Sequence, residues 1–517
     1  MERKILKVGL LIANDTIPFW LYKSLNKVKN DGFADIVLSI SVSNNLVKQK
    51  SFLYGLYQNM DQKLFATSNN AKQAKGYNLL FSDICKIEST QLEEIKKFDL
   101  DIIIDISDHK QTTKLIYCAK YGVWSYAGMN ELQYLYDVIN KKALLTSSLV
   151  MENQNEKIRL STSSSQILGY SVFRDENEQL WSLAALLPRE IKKLSKLREK
   201  RYFEEKKRIK PQNIQCSAPS NLFMSSVFFK QSVSIIKKIF EKRFFKEQWF
   251  LMYANREDLS FDMVSKYQSI IPNVEQFWAD PFVVDHHGKR YIFIEEEPLN
   301  SHGHISLITL EEDGSYSDPV PIIKKPYHIS YPFVFNHDDK YYMIPETSEN
   351  RTIELYEAVD FPYKWEFKQN LMRDIQAVDT TLFYKDDKWW LFTSVTEFEG
   401  GWDNGSLSLF CSDNLFSNAW HEHPQNPIIT DPNHSRMAGS VFEKEGKIYR
   451  PSQNSSKRYG YGFNLEEITK LSFTHYEEKT IREIVPDWDK NILGTHTVNF
   501  AKNFTIIDGV HMRSRFK

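Results

Sequence analysis

The chain has 517 residues, too many for one ordinary domain and enough for roughly two to four. Its 66 Lys and Arg stand against 67 Asp and Glu, which excludes a global basic field for nucleic acid and an acidic solvating tail. With 42 % hydrophobic and 26 % charged residues it reads as globular, not disordered. Aromatic residues reach 14 %, which suits strand cores first and stacking on sugar rings second. The four cysteines, Cys85, Cys118, Cys216 and Cys411, form no CxxC pair. Neither a disulfide framework nor a zinc site is therefore expected, and a reducing cytoplasm fits. The first apolar run is broken by Lys7 and then by Asn14-Asp15, so it reads as a buried strand and not as a signal peptide.

Residues 8–13 form that short strand, followed by a helical stretch at 20–29 and a second strand at 34–42. Asp101-Ile102-Ile103-Ile104-Asp105-Ile106 is a continuous β-branched run, as in a parallel strand buried on both faces. Tyr121-Gly122-Val123-Trp124-Ser125-Tyr126 reads as another strand. This alternation predicts an α/β domain with a parallel sheet over residues 1–200. No GxGxxG follows the first strand, where Ala13-Asn14-Asp15-Thr16 stands, so a dinucleotide site is not supported.

Residues 201–247 read as a basic helical linker. Pro211-Gln212-Asn213 and Ser217-Ala218-Pro219-Ser220 break the chain, and 222–246 then mixes Phe223, Phe228, Ile236, Ile239, Phe240 and Phe244 with Lys230, Lys237, Lys238, Lys242, Arg243 and Lys246. Such a helix packs between domains or lies peripherally on the inner face of a membrane.

From residue 248 the texture changes to short strands and turns with a visible repeat. Ala279-Asp280-Pro281-Phe282, Ser330-Tyr331-Pro332-Phe333, Val378-Asp379-Thr380-Thr381, Ala438-Gly439-Ser440-Val441 and Thr495-His496-Thr497-Val498 each precede a polar turn and an aromatic strand. Intervals of 51, 48, 60 and 56 residues separate Asp280, Tyr331, Asp379, Gly439 and Thr495. An all-β period near fifty predicts propeller blades, and five units predict a five-bladed β-propeller over 248–517.

In a propeller the innermost strands line the axis, which would gather Asp280, Tyr331, Asp379, Arg436 and His496. Paired carboxylates there suit glycosidic acid–base chemistry, with Asp280, Asp379 and Glu346 as the catalytic candidates. Glu295, Glu296 and Glu297 are further acids, and Trp278, Trp389, Trp390 and Trp402 are candidate sugar-stacking faces. Arg436 and Arg450, with Lys457 and Arg458, are candidate clamps for a phosphate or sugar acid, and Gln453 is a further substrate contact. Each of these residue types also has an ordinary structural use: a turn cap for Asp280 or Asp379, a hydrogen-bonded core residue for His496, edge charge for the glutamates.

The stretch from Phe277 to about Glu478 resembles the β-propeller domain found N-terminal in plant glucosamine inositolphosphorylceramide transferase. The residues that carry it are Trp278-Ala279-Asp280-Pro281-Phe282, Ile294-Glu295-Glu296, His328-Ile329-Ser330-Tyr331-Pro332-Phe333, Tyr342-Met343-Ile344-Pro345-Glu346-Thr347, Phe361-Pro362-Tyr363-Lys364-Trp365, Asn426-Pro427-Ile428 and Arg450-Pro451-Ser452-Gln453. That domain in turn is similar to the five-bladed arabinanase and furanosidase fold. The second likeness implies Asp280 as base or nucleophile, Asp379 or Glu346 as its partners, and His496 near a channel ion. The N-terminal part resembles the formyltransferase fold through Asp101–Ile106, Tyr121-Gly122-Val123-Trp124-Ser125 and Leu187-Pro188-Arg189-Glu190. Where that family uses Asn-x-His, this chain has Ser125-Tyr126-Ala127, so a retained fold, a binding pocket or other chemistry is expected there.

The resemblance, with the basic helix, implies a carbohydrate-active protein of cell-surface glycan or glycolipid assembly, glycosyltransferase-like, that takes a sugar nucleotide or a glycan; the cysteine usage makes the expected setting cytoplasmic. In plants the propeller accompanies a separate transferase module. A glycan-binding scaffold, a glycoside hydrolase and a sugar N-formyltransferase are the alternatives.

Overall fold

A computed structural model describes residues 4–42, 51–107, 112–197, 199–204, 206–209, 219–298, 301–398 and 405–516. The linker residues Pro211-Gln212-Asn213 and Ser217-Ala218, with Cys216 and Trp402, lie outside the described residues. The chain divides into two compact units, Met1–Ile235 with Phe398–Gly401, and Ile236–Glu397 with Trp402–Lys517.

The first unit is α/β. Its eight-stranded sheet runs Lys207–Arg208, Lys157–Gln166, Leu144–Glu152, Val123–Ala127, Ile102–Asp105, Leu6–Ile12, Ala34–Ser41, Cys85–Glu88. The last five strands pair in parallel and the first three join antiparallel. The isoleucine run splits as the two-residue period requires: Ile102 and Ile104 enter one apolar core, Ile103 the core on the opposite face. Helices Phe19–Asp31, Val172–Ala184 and Leu186–Lys196 supply much of the first core.

The second unit is a five-bladed β-propeller. Blade 1 comprises Gln276–His286, Lys289–Pro298, His304–Leu310 and Val320–Ile323; blade 2 comprises Ser330–His337, Lys340–Thr347, Thr352–Asp360 and Lys364–Arg373. Blade 3 holds Ala377–Lys385, Lys388–Val395, Ser406–Ser412 and His421–Glu422, and blade 4 holds Phe442–Lys444, Lys447–Asn454, Gly462–Leu471 and Tyr476–Ile484. Blade 5 is composite. Its strands Phe245–Ala254 and Gln268–Ile270 come from the start of the unit, and Ile492–Gly494, Val498–Ala501 and Phe504–Ser514 from its end. Phe245–Ala254 pairs antiparallel with Phe504–Ser514 along its whole length, from Phe245↔Ser514 to Ala254↔Thr505, and this ladder seals the ring. The basic helix runs over Asn221–Phe244, and strand follows it directly, so Lys246 belongs to the sheet.

The sequence repeat has a backbone cause. In blades 1, 2 and 3 the inner strand bulges between Ala279 and Phe282, Ser330 and Phe333, and Val378 and Thr381, two residues facing one on the neighbour. The first residue of each bulge is left-handed: Asp280 at φ 51°, Tyr331 at 45°, Asp379 at 53°. Non-glycine residues pay conformational energy to stand there, and the bulge re-aims three equivalent side chains off the normal alternation of the strand.

Candidate functional site

All five blades contribute to one polar cluster. Blade 3 supplies Asp379, whose Oδ2 accepts from Arg436 Nε at 2.6 Å and from Gln453 Nε2 at 3.1 Å, both of blade 4. Blade 2 supplies Glu346, whose Oε2 accepts the Asp379 amide at 3.2 Å and lies 3.9 Å from Arg436 Nη2. Burial disfavours the charge of Arg436, but Asp379 and Tyr459 outweigh it and hold the guanidinium well above its usual range. The Tyr459 ring centroid lies 5.2 Å from that guanidinium.

Blades 1 and 5 supply the second half. Thr497 Oγ1 donates to Asp280 Oδ1 at 2.7 Å, and His496 Nε2 lies 3.8 Å from the same oxygen. His496 Nδ1 donates to Asp508 Oδ2 at 2.5 Å, which fixes the imidazole with Nε2 toward Asp280. Trp249 stacks on the imidazole, centroids 4.1 Å apart. Burial pushes the Asp280 carboxyl up to about 7, with His496 opposing. Burial also works against a charged His496, yet Asp508 and Asp280 carry it up to about 9.

The repeat also identifies a residue that strand counting misassigns. Glu295 pairs with Ala279 as Glu346 pairs with Ser330, so Glu295 is the blade 1 counterpart of Glu346. Its Oε1 lies 3.2 Å from His328 Nε2, and the hydrogen bond that His328 donates to Glu295, against the cost of burial, raises His328 to about 9. Glu296 points the other way, into its blade, where it accepts from Ser306 at 2.6 Å and Gln276 at 2.8 Å. The cluster reaches solvent through Glu346, Tyr459 and His328, while Asp280, Asp379, Arg436 and His496 are 5, 2, 6 and 3 % exposed.

Of the residues singled out in the sequence, Asp280, Asp379, Glu346, Arg436, Gln453 and His496 meet here. Tyr331 is present but fully engaged: its hydroxyl contacts Thr381 Oγ1 at 3.0 Å and accepts the Gly439 amide at 2.9 Å. Gly439 itself stands at φ 139°, where a Cβ would sit 1.9 Å from the Val498 carbonyl oxygen, so glycine is required. Arg450 does not join the cluster. Its Nε and Nη2 bind Glu478 at 2.8 and 2.6 Å inside blade 4, and the side chain is fully buried. The expected sugar-stacking role fails for three tryptophans: Trp278 packs with Leu251, Tyr253 and Ile292, and Trp389 and Trp390 lie in the large core shared by the blades. Burial of their large apolar surface explains this better than a ligand would. Arg458 pairs with Glu247 at 2.6 Å, and exposed Lys457 bonds Tyr461.

Sequence reasoning missed Asp508, Trp249, Tyr459 and Thr497. Asp508 carried a signal, an acid in the apolar run Thr505-Ile506-Ile507-Asp508. Asp280, His496 and Asp508 lie close enough to be weighed as cation ligands. They fit a cation poorly, because Asp508 already accepts the amides of His496 at 2.7 Å, Thr497 at 3.1 Å and Asp280 at 3.3 Å besides the imidazole. In the second such group, Glu295, Glu297 and His328, a charged imidazolium paired with Glu295 serves as the cation itself.

The fold and cluster define a five-bladed propeller with a carboxylate-rich axis tied by one arginine. Residues 264–502 match the family described as "Glucosamine inositolphosphorylceramide transferase 1, N-terminal". Over 206 residues, 39 % of this chain, the sequence is 32 % identical to glucosamine inositolphosphorylceramide transferase 1 of Oryza sativa subsp. japonica and 31 % identical to that of Arabidopsis thaliana. The match spans 27 % of the length of these relatives. Solved structures that resemble the chain include an exo-1,5-alpha-L-arabinanase from a bovine ruminal metagenomic library, at 15 % identity over 47 % of this chain and 94 % of that one, with a TM-score of 0.33. A Bombyx mori beta-fructofuranosidase matches at 15 % identity over 45 % of this chain and 54 % of its own, TM-score 0.33.

Proposed function

We propose that the propeller binds a sugar nucleotide or a glycan at the mouth of its axis and serves glycosyl transfer in the assembly of a glycan or glycolipid. One observation carries the reading: side chains from all five blades, Asp280, Glu346, Asp379, Arg436 and His496, converge on one polar cluster. The transferase names of the relatives support it. Asp280 is the base. A carboxyl pushed up to about 7 exchanges a proton close to neutrality, and His496, oriented by Asp508, stabilises the carboxylate when the proton leaves. Arg436 engages Asp379 at 2.6 Å and lies 3.9 Å from Glu346, which leaves Asp280, of these three carboxyls, as the one without an arginine partner among the described residues. Glu346, Tyr459 and His328 form the rim that a sugar meets first. The cysteine usage suits a cytoplasmic setting.

A second reading, sugar binding without turnover, is favoured by the near-complete burial of Asp280 and Asp379. A thermal-shift screen of sugar nucleotides and oligosaccharides tests both. A stabilising donor with turnover that Asp280→Asn abolishes supports transfer; stabilisation by glycan alone supports binding. If no sugar ligand raises the melting temperature, the sugar reading fails.

A further inference from the structure

The helix Asn221–Phe244 carries two unlike faces. Met224, Val227 and Gln231, spaced three and four apart, are buried, and Val227 joins a core with Tyr57 and Val138. On the opposite side Leu222, Phe229, Val233, Ile236, Phe240 and Phe244 follow one another at seven, four, three, four and four residues. That spacing aligns them along one line of an α-helix. Their exposures are 85, 72, 50, 65, 53 and 41 %. A stripe of this kind along a helix of 24 residues, about 36 Å, is far more ordered than scattered surface hydrophobics.

Charge decides what covers it. Residues 221–246 contain six Lys and Arg and a single acid, Glu241. Lys230 and Lys237 lie three and four residues from Val233, and Arg243 lies three from Phe240, so cations border the apolar line on both sides. Among the described residues no helix is long and apolar enough to cross a membrane. A helix with an apolar stripe and basic flanks lies in the plane of an interface, its rings among acyl chains and its ammonium groups among anionic headgroups. We infer that Asn221–Phe244 docks this protein on the surface of a bilayer containing anionic lipid. The inference stands on the helix alone and is independent of what the propeller binds.

The test is flotation of the full chain with vesicles of phosphatidylcholine, with and without phosphatidylserine. The protein should float with the anionic vesicles, and high salt should weaken binding at least tenfold. Ile236→Asp with Phe240→Asp should abolish flotation while far-ultraviolet circular dichroism and the melting temperature stay at wild type, since both sites are solvent-facing. Lys237→Glu with Arg243→Glu should lower partitioning about thirtyfold or more, each near-surface cation contributing about fivefold. Failure to float with anionic vesicles overturns the inference, as does full flotation of the doubly acidic variant. Light scattering that shows a dimer dissolved by Ile236→Asp with Phe240→Asp would assign the stripe to a second copy instead and equally overturn it.

Discussion

Arg436→Met tests whether the buried guanidinium holds its side of the axis. The arginine is 6 % exposed and faces Asp379 at 2.6 Å and Glu346 at 3.9 Å. Methionine keeps the apolar bulk and deletes the charge, so the loss is electrostatic and leaves Asp379 with Gln453 as its remaining side-chain donor in the cluster. Removing one partner of a buried pair costs about 3–5 kcal/mol because the other is left charged in a dry site. For a unit of this size that lowers the melting temperature by about 10 °C. Arg436→Met with Asp379→Asn should recover at least half of the loss, a coupling that a double-mutant cycle in denaturant measures. Arg436→Met within about 1 kcal/mol of wild type, with no coupling to Asp379→Asn, would refute the reasoning.

Asp280→Asn should cut any sugar turnover by at least a hundredfold while leaving ligand affinity within a few-fold, read as kcat against Kd. Gly439→Ala should cost more than about 3 kcal/mol or prevent folding, because a methyl group cannot share space with the Val498 carbonyl; soluble yield and urea midpoint report it. His496 takes its proton more tightly in the folded chain than the free imidazole does, its value rising from 6.5 to about 9. Its stabilisation is therefore complete below about pH 6.5 and fades as pH rises through 9, an alkaline loss of about 3 kcal/mol at most. His496→Gln should flatten that limb of a pH series of denaturant midpoints.

The ring was legible because its repeat marks the same backbone event three times: Asp280, Tyr331 and Asp379 each open a bulge, and a bulge leaves a sequence trace of turn-tolerant residue followed by apolar strand. The opening half of blade 5 was not, since Phe245–Ala254 continues an aromatic helix without punctuation and its partner strand begins at Phe504. The acids were only half legible. Three glutamates in a row offer no means of choosing the axial one until the bulge fixes the register, and that selects Glu295 over Glu296. Trp278 misled because strand cores and sugar platforms use the same side chain. Arg450 misled for a related reason: its partner Glu478 lies 28 residues away on a different strand, beyond any local pattern.

The ladder between Phe245–Ala254 and Phe504–Ser514 has a consequence for biogenesis. A nascent chain that has left the ribosome only as far as blade 4 carries two naked sheet edges, both able to recruit a stranger. Nothing can latch them together until the strand Phe504–Ser514 emerges, so the propeller matures all at once. Loss of the strand Phe504–Ser514 would forfeit the whole wheel, not one spoke.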